Sequence, residues 1–575
     1  MMKHPAFIFP LLLLIAGCNM QRSEIWRPAE IVFESGTDYS SEGGDAVILD
    51  VVFTNSRSGT TLVRPAFWDG GGRFAVRFAP TETGIWSWST SCPQDKSMDG
   101  LHGSLRCVTY SGELDIYKHG FVVSPSGKKY LTYADGTPFF YLGDTHWGMY
   151  TEEFDEPGPH AGSTGAQSHF KYIVDRRVEQ GFTVYQSEPI GARFNLADGK
   201  VDAEDIPGFK DADRYYQYIA DAGLVHANAE LFFVSSMSPE LGRDTLALGR
   251  LARYWNARFG AYPVLWTLAQ EVDNDFYFER GDNSWYDYTC NPWVTFAEYL
   301  HRYDCYAHPL SGHQENRDYT TVSGLGTAEG NHPSGGGESA FFSDDVAART
   351  GHNWWAVQWS PNIVETSSPE AQMDYWASER PAVNYEGRYC YLWTKNFGSR
   401  AQGWISFLSG FCGYGYGAID IWLYQSTYDI DTKSFDGRDV VTPEDKATAW
   451  SEALEFESAT QMGYMRKELE KLEWWKLKPV FPGQDGFEPS DSTAYAYAKD
   501  SAADRHILYF YDDGIPTGCL TGLDGGKLYR LSWFNPRTGK TEDSQSSAAD
   551  ESGRMSLPSK PDDLDWVLKV FRETR

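Results

Sequence analysis

The sequence predicts a multidomain protein of the α/β plus β class, in which a central (β/α)8 barrel is flanked by an N-terminal and a C-terminal β-sandwich. With 575 residues the chain is too long for one ordinary domain. Eight strand-like segments alternate with helical segments in its middle part, which indicates a parallel sheet, and eight repeats favour a closed barrel. On both sides of this part, short strands alternate with turns.

The N-terminal sandwich is predicted over residues 24–118. Apolar and polar residues alternate in 46–53 and in 73–78, and the glycine-rich segment 69–72 forms a turn before the second of these strands. Residues 86–89 continue the alternation. Turns about every ten residues are typical of a β-sandwich of this size.

The barrel is predicted over residues 119–478. Its strands are expected at 139–142, 182–187, 229–234, 263–268, 309–313, 355–358, 382–385 and 417–421. Its clearest helices are expected at 169–180, 211–222, 244–259, 293–303 and 444–472. Because right-handed crossovers connect parallel strands, the C-terminal ends of all eight strands should open on one face.

Residues 479–489 are predicted to be a linker, and residues 485–575 are predicted to form the C-terminal sandwich. Its strands are expected at 494–497, 507–511 and 529–534, and residues 535–539 form a good turn.

The first residues resemble the signal peptide of bacterial lipoproteins. Lys3 and His4 precede an apolar run over 5–16 that is too short to span a bilayer, and the run ends in the lipobox-like sequence IAGC at Cys18. The resemblance implies cleavage after residue 17, acylation of Cys18 and a location in the periplasm or at the outer-membrane surface. The alternative is an ordinary secretory signal with an incidental cysteine.

Composition and motifs exclude several functions. A formal net charge of −30 argues against nucleic acid as a partner, and without a polybasic stretch the only expected membrane contact is the lipid anchor. The sequence lacks a Gly-x-Ser-x-Gly elbow, a Gly-Lys-Ser/Thr phosphate loop and metal-ligand spacing among its histidines, so no cofactor and no metal are expected. The aromatic fraction of 15% suits a carbohydrate partner, because aromatic rings stack on the apolar faces of sugars.

Two cysteine pairs have a spacing that leaves disulfides open. Cys92 and Cys107, like Cys290 and Cys305, are 15 residues apart, and an oxidising compartment would permit bridges.

Two glutamates at predicted strand ends indicate the chemistry. Glu271 follows the fourth strand and Glu386 ends the seventh. Hydrolysis of a glycosidic bond needs one group that protonates the leaving oxygen and a second that attacks the anomeric carbon or activates water. Carboxylates on strands 4 and 7 of this fold are the pattern of a large clan of retaining glycosidases, so we expect Glu271 to be the acid/base and Glu386 the nucleophile. A different pair, with Asp144, Glu188 or Asp273 in place of one of them, stays open.

Other polar and aromatic residues at the strand ends are candidates for contacts with the sugar. They are Asp144, His146, Trp147, Glu188, Arg193, Gln270, His313, Gln358, Trp359, Tyr385 and Trp422. Asp144 could instead bind loop amides, and each tryptophan could be either wall or stacking platform. Tyr385 or a neighbouring ring could donate a hydrogen bond to Glu386 and keep it ionised.

Residues 130–147, YLTYADGTPFFYLGDTHW, resemble the opening of the apiosidase-like barrel proteins of polysaccharide-degrading gut bacteroidetes. The preceding sandwich resembles a domain of unknown function often found before that barrel, and WFNPRTG at 533–539 resembles a collagen-binding-like β domain often found after it. The resemblance implies a glycoside hydrolase acting on side chains of plant or host polysaccharides. The segment WTLAQE at 266–271 has glutamate where the family carries aspartate, so apiose specificity is not implied.

Three alternatives remain at this stage. The protein could be a catalytically silent surface protein that binds glycans, a structural module that binds matrix protein, or a glycosidase that inverts the anomeric configuration.

Overall fold

The computed structural model describes residues 20–149, 154–155, 168–187, 196, 198–228, 238–269, 292–314, 344–358, 369–390, 397–422, 449–490, 493–515 and 517–573. Within these ranges, no helix combines the length and the apolar composition needed to cross a bilayer.

The N-terminal part forms two sheets. Its strands are β1 (Gln21–Glu24), β2 (Ala29–Glu34), β3 (Asp50–Asn55), β4 (Thr61–Pro65), β5 (Phe67–Trp68), β6 (Arg73–Phe78), β7 (Gly84–Ser91) and β8 (His102–Val108). One sheet has the order β1-β8-β7-β3-β4 and the other β2-β6-β5. The ring of Phe53 on β3 stacks on Phe78 of β6 at 3.8 Å between centroids, so the inner faces of the two sheets pack against each other.

Cys92 and Cys107 are both free and buried. They lie at opposite ends of the β7–β8 hairpin, since Cys107 pairs with Gly84 at the start of β7 while Cys92 follows its last residue. Cysteines so far apart cannot be bridged. The Cys290–Cys305 pair stays open, because Cys290 lies outside the described residues.

The short helix α1 (Asp115–Lys118) and the hairpin of β9 (Val122–Val123) and β10 (Thr132–Tyr133) lead into the barrel. The barrel strands are β11 (Tyr141–His146), β12 (Val184–Ser187), β13 (Val225–Asn228), β14 (Val264–Trp266), β15 (His313–Gln314), β16 (Trp355–Gln358), β17 (Ala382–Glu386) and β18 (Gly413–Tyr416). They form one sheet in the order β14-β13-β12-β11-β18-β17-β16-β15, and all neighbours are parallel.

A parallel bridge between Trp266 and Leu310 joins the two ends of this sheet. The Trp266 amide donates to the Pro309 carbonyl at 2.9 Å, and the Ser311 amide donates to the Trp266 carbonyl at 2.8 Å. The sheet therefore closes into a ring of the TIM-barrel type, as the eightfold alternation predicts.

The barrel region contains eleven further described helices of the α type. They are α2 (His169–Gln180), α3 (Ile206–Asp221), α4 (Pro239–Arg243), α5 (Thr245–Phe259), α6 (Pro292–Tyr303), α7 (Asp344–Thr350), α8 (Met373–Ala377), α9 (Phe397–Leu408), α10 (Ile419–Trp422), α11 (Trp450–Ala453) and α12 (Glu457–Lys471). Single 3-10 turns lie at Pro369–Gln372 and Trp474–Lys476. Helix α2 coincides with its prediction, with Ser168 as N-cap and Gly181 in the left-handed conformation at its end.

Three predicted elements differ from the structure. The third strand is β13, which precedes the predicted position; residues 229–234 themselves lie outside the described residues. Its second residue, His226, is buried, and its Nε2 atom lies 2.6 Å from Ser187 Oγ. Because histidine is polar, the sequence shows no continuous run of apolar residues at this strand. The predicted helix 444–472 is two helices, α11 and α12, and its first residues up to 448 lie outside the described ranges.

The eighth strand, β18, precedes its predicted position at 417–421, part of which belongs to helix α10. Its sequence, Gly-Tyr-Gly-Tyr, is unfavourable for a strand by propensity. The tertiary structure requires the glycines, because a Cβ atom on Gly415 would overlap the Tyr385 carbonyl and one on Gly413 would lie 2.5 Å from the Cβ atom of Tyr141.

The C-terminal part consists of β19 (Leu477–Pro479), β20 (Phe487–Pro489), β21 (Tyr495–Asp500), β22 (Arg505–Phe510), β23 (Gly518–Leu520), β24 (Leu528–Asn535), β25 (Lys540–Thr541), β26 (Gln545–Ala548), β27 (Met555–Ser556) and β28 (Trp566–Arg572). One sheet has the order β19-β21-β22-β28-β24-β25, with β26 also on β24, and the other β20-β23-β27. The prediction of a linker at 479–489 is wrong at both ends of this segment, because residues there belong to strands that pair within these sheets.

Buried charges connect the barrel to both flanking parts. Asp213 on α3 accepts hydrogen bonds from Arg77 on β6 at 2.6 and 2.7 Å and from Arg258 on α5 at 3.0 and 2.6 Å. At the other end, Arg400 on α9 donates to both oxygens of Asp565, at 2.8 and 2.7 Å. Both carboxylates therefore balance the charge of guanidinium groups that lie in the interior.

We predict that Asp213→Asn destabilises the protein by about 3 kcal/mol, because it removes the carboxylate that two buried guanidinium groups share and leaves Arg77 with Glu30 alone and Arg258 with Asp69 alone. Burial alone would raise the pKa of Asp213, but the charges of Arg258 and Arg77 lower it below its usual value. A lowered pKa stabilises the folded state above the unfolded-state pKa of about 3.9, and this contribution is lost as the pH falls through the folded-state pKa.

Thermal unfolding of wild type and Asp213→Asn at pH 7 and below pH 4 measures both effects. The difference in Tm should be large at neutral pH and should shrink in acid. Asp211→Asn is the matched control, since the Asp211 side chain is 37% exposed and pairs with the partly exposed Arg214 at 3.3 Å, and we expect a change under about 1 kcal/mol. An equal loss in both variants would contradict the role of the cluster.

Candidate active site

Seven of the predicted site residues lie at the C-terminal ends of described barrel strands or just beyond them. They are Asp144, His146 and Trp147 after or in β11, His313 in β15, Gln358 at the end of β16, and Tyr385 and Glu386 at the end of β17. In the ring β11 and β17 both pair with β18, and β15 and β16 follow β17. These seven side chains therefore lie in one half of the barrel mouth.

Glu386 is the central group of this half and is only 4% exposed. The phenol hydroxyl of Tyr389 donates a short hydrogen bond to its Oε1 atom. The Nε2 atom of His313 lies 3.1 Å from its Oε2 atom. Among the described residues, none forms a hydrogen bond of good geometry with Oε2. The two carboxylate oxygens therefore have different surroundings.

Tyr389 is a site residue that the sequence analysis missed. Burial and the negative charge of Glu386 raise its pKa well above the usual value of tyrosine, so the phenol stays protonated and acts as a donor. The indole Nε1 of Trp147 donates to the Tyr389 oxygen at 2.6 Å. The available signal is the spacing Tyr-Glu-x-x-Tyr at a strand end, which places a second phenol three residues after the carboxylate.

The backbone after Glu386 is anchored to the end of β18. The amide of Gly387 donates to the Gly415 carbonyl at 3.0 Å, and the amide of Cys390 donates to the Gly417 carbonyl at 2.7 Å. A Cβ atom on Gly417 would lie 2.5 Å from both Thr145 Oγ1 and the Tyr389 ring. Glycine at this position lets the Tyr389 ring approach the mouth of the barrel.

Aromatic rings enclose the imidazole of His313. The Trp147 ring stacks on it at 5.6 Å and 19°, and the Tyr385 ring contacts it at 4.7 Å. The hydroxyl of Tyr385 pairs with Thr267 Oγ1 at 3.2 Å, on β14's side of the barrel. Of the two tyrosines, Tyr389 and not Tyr385 therefore supplies the hydrogen bond to Glu386.

Asp144 is buried and ionised beneath the mouth. Its Oδ2 atom accepts a hydrogen bond from Arg177 Nε at 2.6 Å and lies 2.8 Å from His146 Nε2. Burial by itself would raise the pKa of Asp144, but Arg177 and His146 lower it below its usual value. The partners of the Asp144 carboxylate are thus side chains of β11 and α2, and it holds His146 in place against the Tyr185 ring at 4.3 Å.

Gln358 pairs with Glu386 across β16 and β17, next to a local shift in register. It is 7% exposed, and its Oε1 atom has no hydrogen-bond partner among the described residues. A buried amide oxygen that lacks a partner at this position is available to a hydroxyl of a ligand.

The remaining predicted site residues lie outside the described residues. They are Cys18, Glu188, Arg193, Gln270, Glu271 and Trp359. Trp422 is the last residue of α10, and its side chain is likewise not described. Two residues after the end of β14, Leu268 has a φ of +61°, an unusual conformation for leucine that often marks functional sites. No group of three or more metal-ligating side chains occurs in the part of the chain that the structure describes.

Comparison with known proteins identifies the family. The sequence model of the apiosidase-like catalytic domain matches residues 125–476, and that of a domain of unknown function, DUF5060, matches residues 22–93. No curated protein sequence matches the chain significantly.

Solved structures with the same fold come from Bacteroides vulgatus ATCC 8482. A "putative glycoside hydrolase" from this organism has a TM-score of 0.63 at 15% identity, covering 96% of this chain and 100% of its own. A glycoside hydrolase of family 5 has a TM-score of 0.54 at 16% identity, covering 80% of this chain and 95% of its own. At these identities the similarity shows the fold alone.

Because the family's catalytic-domain model matches more than half of the chain, the protein belongs to the apiosidase-like family and is a glycoside hydrolase.

Proposed function

We propose that the protein hydrolyses glycosidic bonds of plant or host polysaccharides with retention of configuration, with Glu386 as nucleophile and Glu271 as acid/base. The observation that carries the proposal is the asymmetric environment of Glu386 at the mouth of the barrel. One carboxylate oxygen accepts a hydrogen bond from Tyr389, and the other makes no good hydrogen bond with any described residue.

A nucleophile needs this kind of environment. A carboxylate attacks the anomeric carbon only when it is ionised and when one oxygen is free of strong donors. The hydrogen bond from Tyr389 engages Oε1 of Glu386 and leaves Oε2 for the sugar. The closeness of His313 to Oε2 supports a site in which a donor also contacts the substrate.

Glu271 follows β14, the fourth barrel strand, and Glu386 ends the seventh. In the proposed reaction Glu271 protonates the leaving oxygen while Glu386 forms a bond to the anomeric carbon. Glu271 then removes a proton from water, which releases the sugar from Glu386. For this mechanism the two carboxyl groups must be about 5–5.5 Å apart, and the inverting alternative requires roughly 6.5–9.5 Å.

The proposed sugar contacts include the groups that have spare hydrogen-bonding capacity. Gln358 offers a buried amide oxygen next to Glu386, and His313 offers ring nitrogens beside it. Asp144, by contrast, supports His146 and Arg177 from below. The identity of the sugar is left to experiment, since glutamate replaces the family's aspartate at 271.

We predict that protein lacking residues 1–18 releases one sugar from a panel of aryl glycosides and pectic or host glycans. Glu386→Gln and Glu271→Gln should each lower kcat at least about a hundredfold, because each removes a group that reacts. Product anomers measured by NMR in the first turnovers should show retention. Glu542→Gln, an exposed carboxylate of the C-terminal part, is the control and should be fully active.

Chemical rescue separates the two roles. Azide should restore turnover of an activated aryl glycoside by Glu386→Gly and yield the glycosyl azide of inverted configuration, since the anion takes the place of the missing nucleophile. Activity that survives in either glutamine variant would contradict the assignment of that carboxylate. Glycan binding without hydrolysis by wild type across the panel would favour the glycan-binding alternative.

We further propose that the flanking sheets are β-sandwich modules and that a lipid on Cys18 anchors the enzyme at the periplasmic or outer-membrane surface. The support is the lipobox-like sequence at the end of the apolar run. Full-length protein made in a Gram-negative host should incorporate labelled palmitate and sediment with membranes, and Cys18→Ser should do neither. Unlabelled but secreted wild type would indicate an ordinary signal peptide.

A further inference from the structure

We propose that Trp147 is a positioning residue, which acts through Tyr389 to select the oxygen of Glu386 that reacts. The inference rests on the proposed function, in which Glu386 is the nucleophile and Glu271 the acid/base. It assigns to Trp147 a role that differs from stacking on the sugar.

The direction of the two hydrogen bonds follows from the chemistry of the three groups. An indole N–H can only donate, and an ionised carboxylate can only accept. Tyr389 lies between them, so its oxygen accepts from Trp147 and its proton points to Oε1 of Glu386. Without the indole, the phenol could turn its proton to other acceptors. The indole N–H therefore occupies an acceptor site of the phenol oxygen and favours the orientation in which the phenol proton points to Glu386.

The position of this proton distinguishes the two carboxylate oxygens. Oε1 is engaged by Tyr389, and Oε2 keeps its lone pairs. In the first step Oε2 bonds to the anomeric carbon, and the bond to the leaving oxygen breaks with its electron pair as that oxygen takes the proton of Glu271. In the resulting ester Oε1 is the carbonyl oxygen, which still accepts from Tyr389. Water, deprotonated by Glu271, then displaces Oε2 and restores both carboxyl groups.

The packing of Trp147 supports an internal role. Its ring is 2% exposed and stacks on His313, so the described structure leaves little of its surface for a sugar. Trp147 and Tyr389 are 242 positions apart in the sequence, and the bond forms because β11 and β17 both flank β18. Trp147→Phe keeps an aromatic ring over His313 and removes the N–H group together with part of the ring, and Trp355→Phe controls for the smaller ring.

Indole N–H signals of protein labelled with 15N-tryptophan test the relay without any substrate. The signal of Trp147 is assigned by its absence in Trp147→Phe. We expect Tyr389→Phe to move it strongly upfield, because the indole loses its acceptor, and Glu386→Gln to move it less. The signal of Trp355, whose indole donates to Ser378 at 2.7 Å, should stay in place in both variants and reports an intact fold. An unmoved Trp147 signal in Tyr389→Phe would overturn the relay.

Kinetic measurements with the glycoside that the wild-type enzyme hydrolyses test the effect of these two hydrogen bonds on catalysis. Tyr389→Phe should lower kcat about 10- to 100-fold, the effect of losing a hydrogen bond to a charged group, with KM changed less than about twofold. Trp147→Phe should lower kcat by a smaller factor, and the double variant should be no slower than Tyr389→Phe, because Trp147 acts through Tyr389. Trp355→Phe is the matched control and should match wild type.

Losses that multiply in the double variant would show that Trp147 acts independently of Tyr389, and they would overturn the proposal. A rise in KM with unchanged kcat in Trp147→Phe would do the same, since it indicates direct sugar binding. If wild type hydrolyses nothing, the proposed function fails, while the indole spectra still decide whether the relay exists.

Discussion

Closure of the parallel sheet between Trp266 and Leu310 is the constraint on which the active site depends. A closed ring of parallel strands has one face that carries every strand's C-terminal end, and it is this face that brings together side chains from distant parts of the sequence. Thr267 follows β14 and Tyr385 lies on β17, which are distant in the open strand order, yet their hydroxyl oxygens are 3.2 Å apart. An open sheet would leave β14 and β15 as edges and would separate Thr267 from Tyr385.

Buried ion pairs join a barrel strand to its neighbouring helix and join the barrel to the N-terminal sheets. Arg177 on α2 pairs with Asp144 beneath the mouth, and Arg77 and Arg258 pair with Asp213 where the N-terminal sheets meet the barrel. Burying a lone charge costs several kcal/mol, so each of these residues is tolerated only with its partner in place. The effect is to restrict the geometry: an arrangement in which the parts shift relative to each other would leave a charge without its partner.

Elements that depend on local interactions were predictable from the sequence, whereas elements that depend on contacts between distant residues were not. Helix α2 was predictable because its apolar periodicity and both caps are local signals, and Glu386 was predictable because a buried strand leads directly to it. Strand β18 was not predictable, since its glycines are required by contacts with Tyr141 and Tyr385 on neighbouring strands. Strand β13 was missed because a buried histidine, satisfied by Ser187, interrupts its apolar pattern.

The sequence alone determined the alternation that predicts the barrel, the family resemblance at 130–147 and the position of Glu386 at a strand end. These are properties of short segments, because the burial of one face of a helix or strand requires a periodic pattern of apolar residues within that segment. Only the tertiary structure decided that Tyr389 and not Tyr385 donates to Glu386, and that Trp147 is buried behind Tyr389. The physical reason is that a hydrogen bond depends on distance and direction between particular atoms, and strand packing around the closed ring sets both.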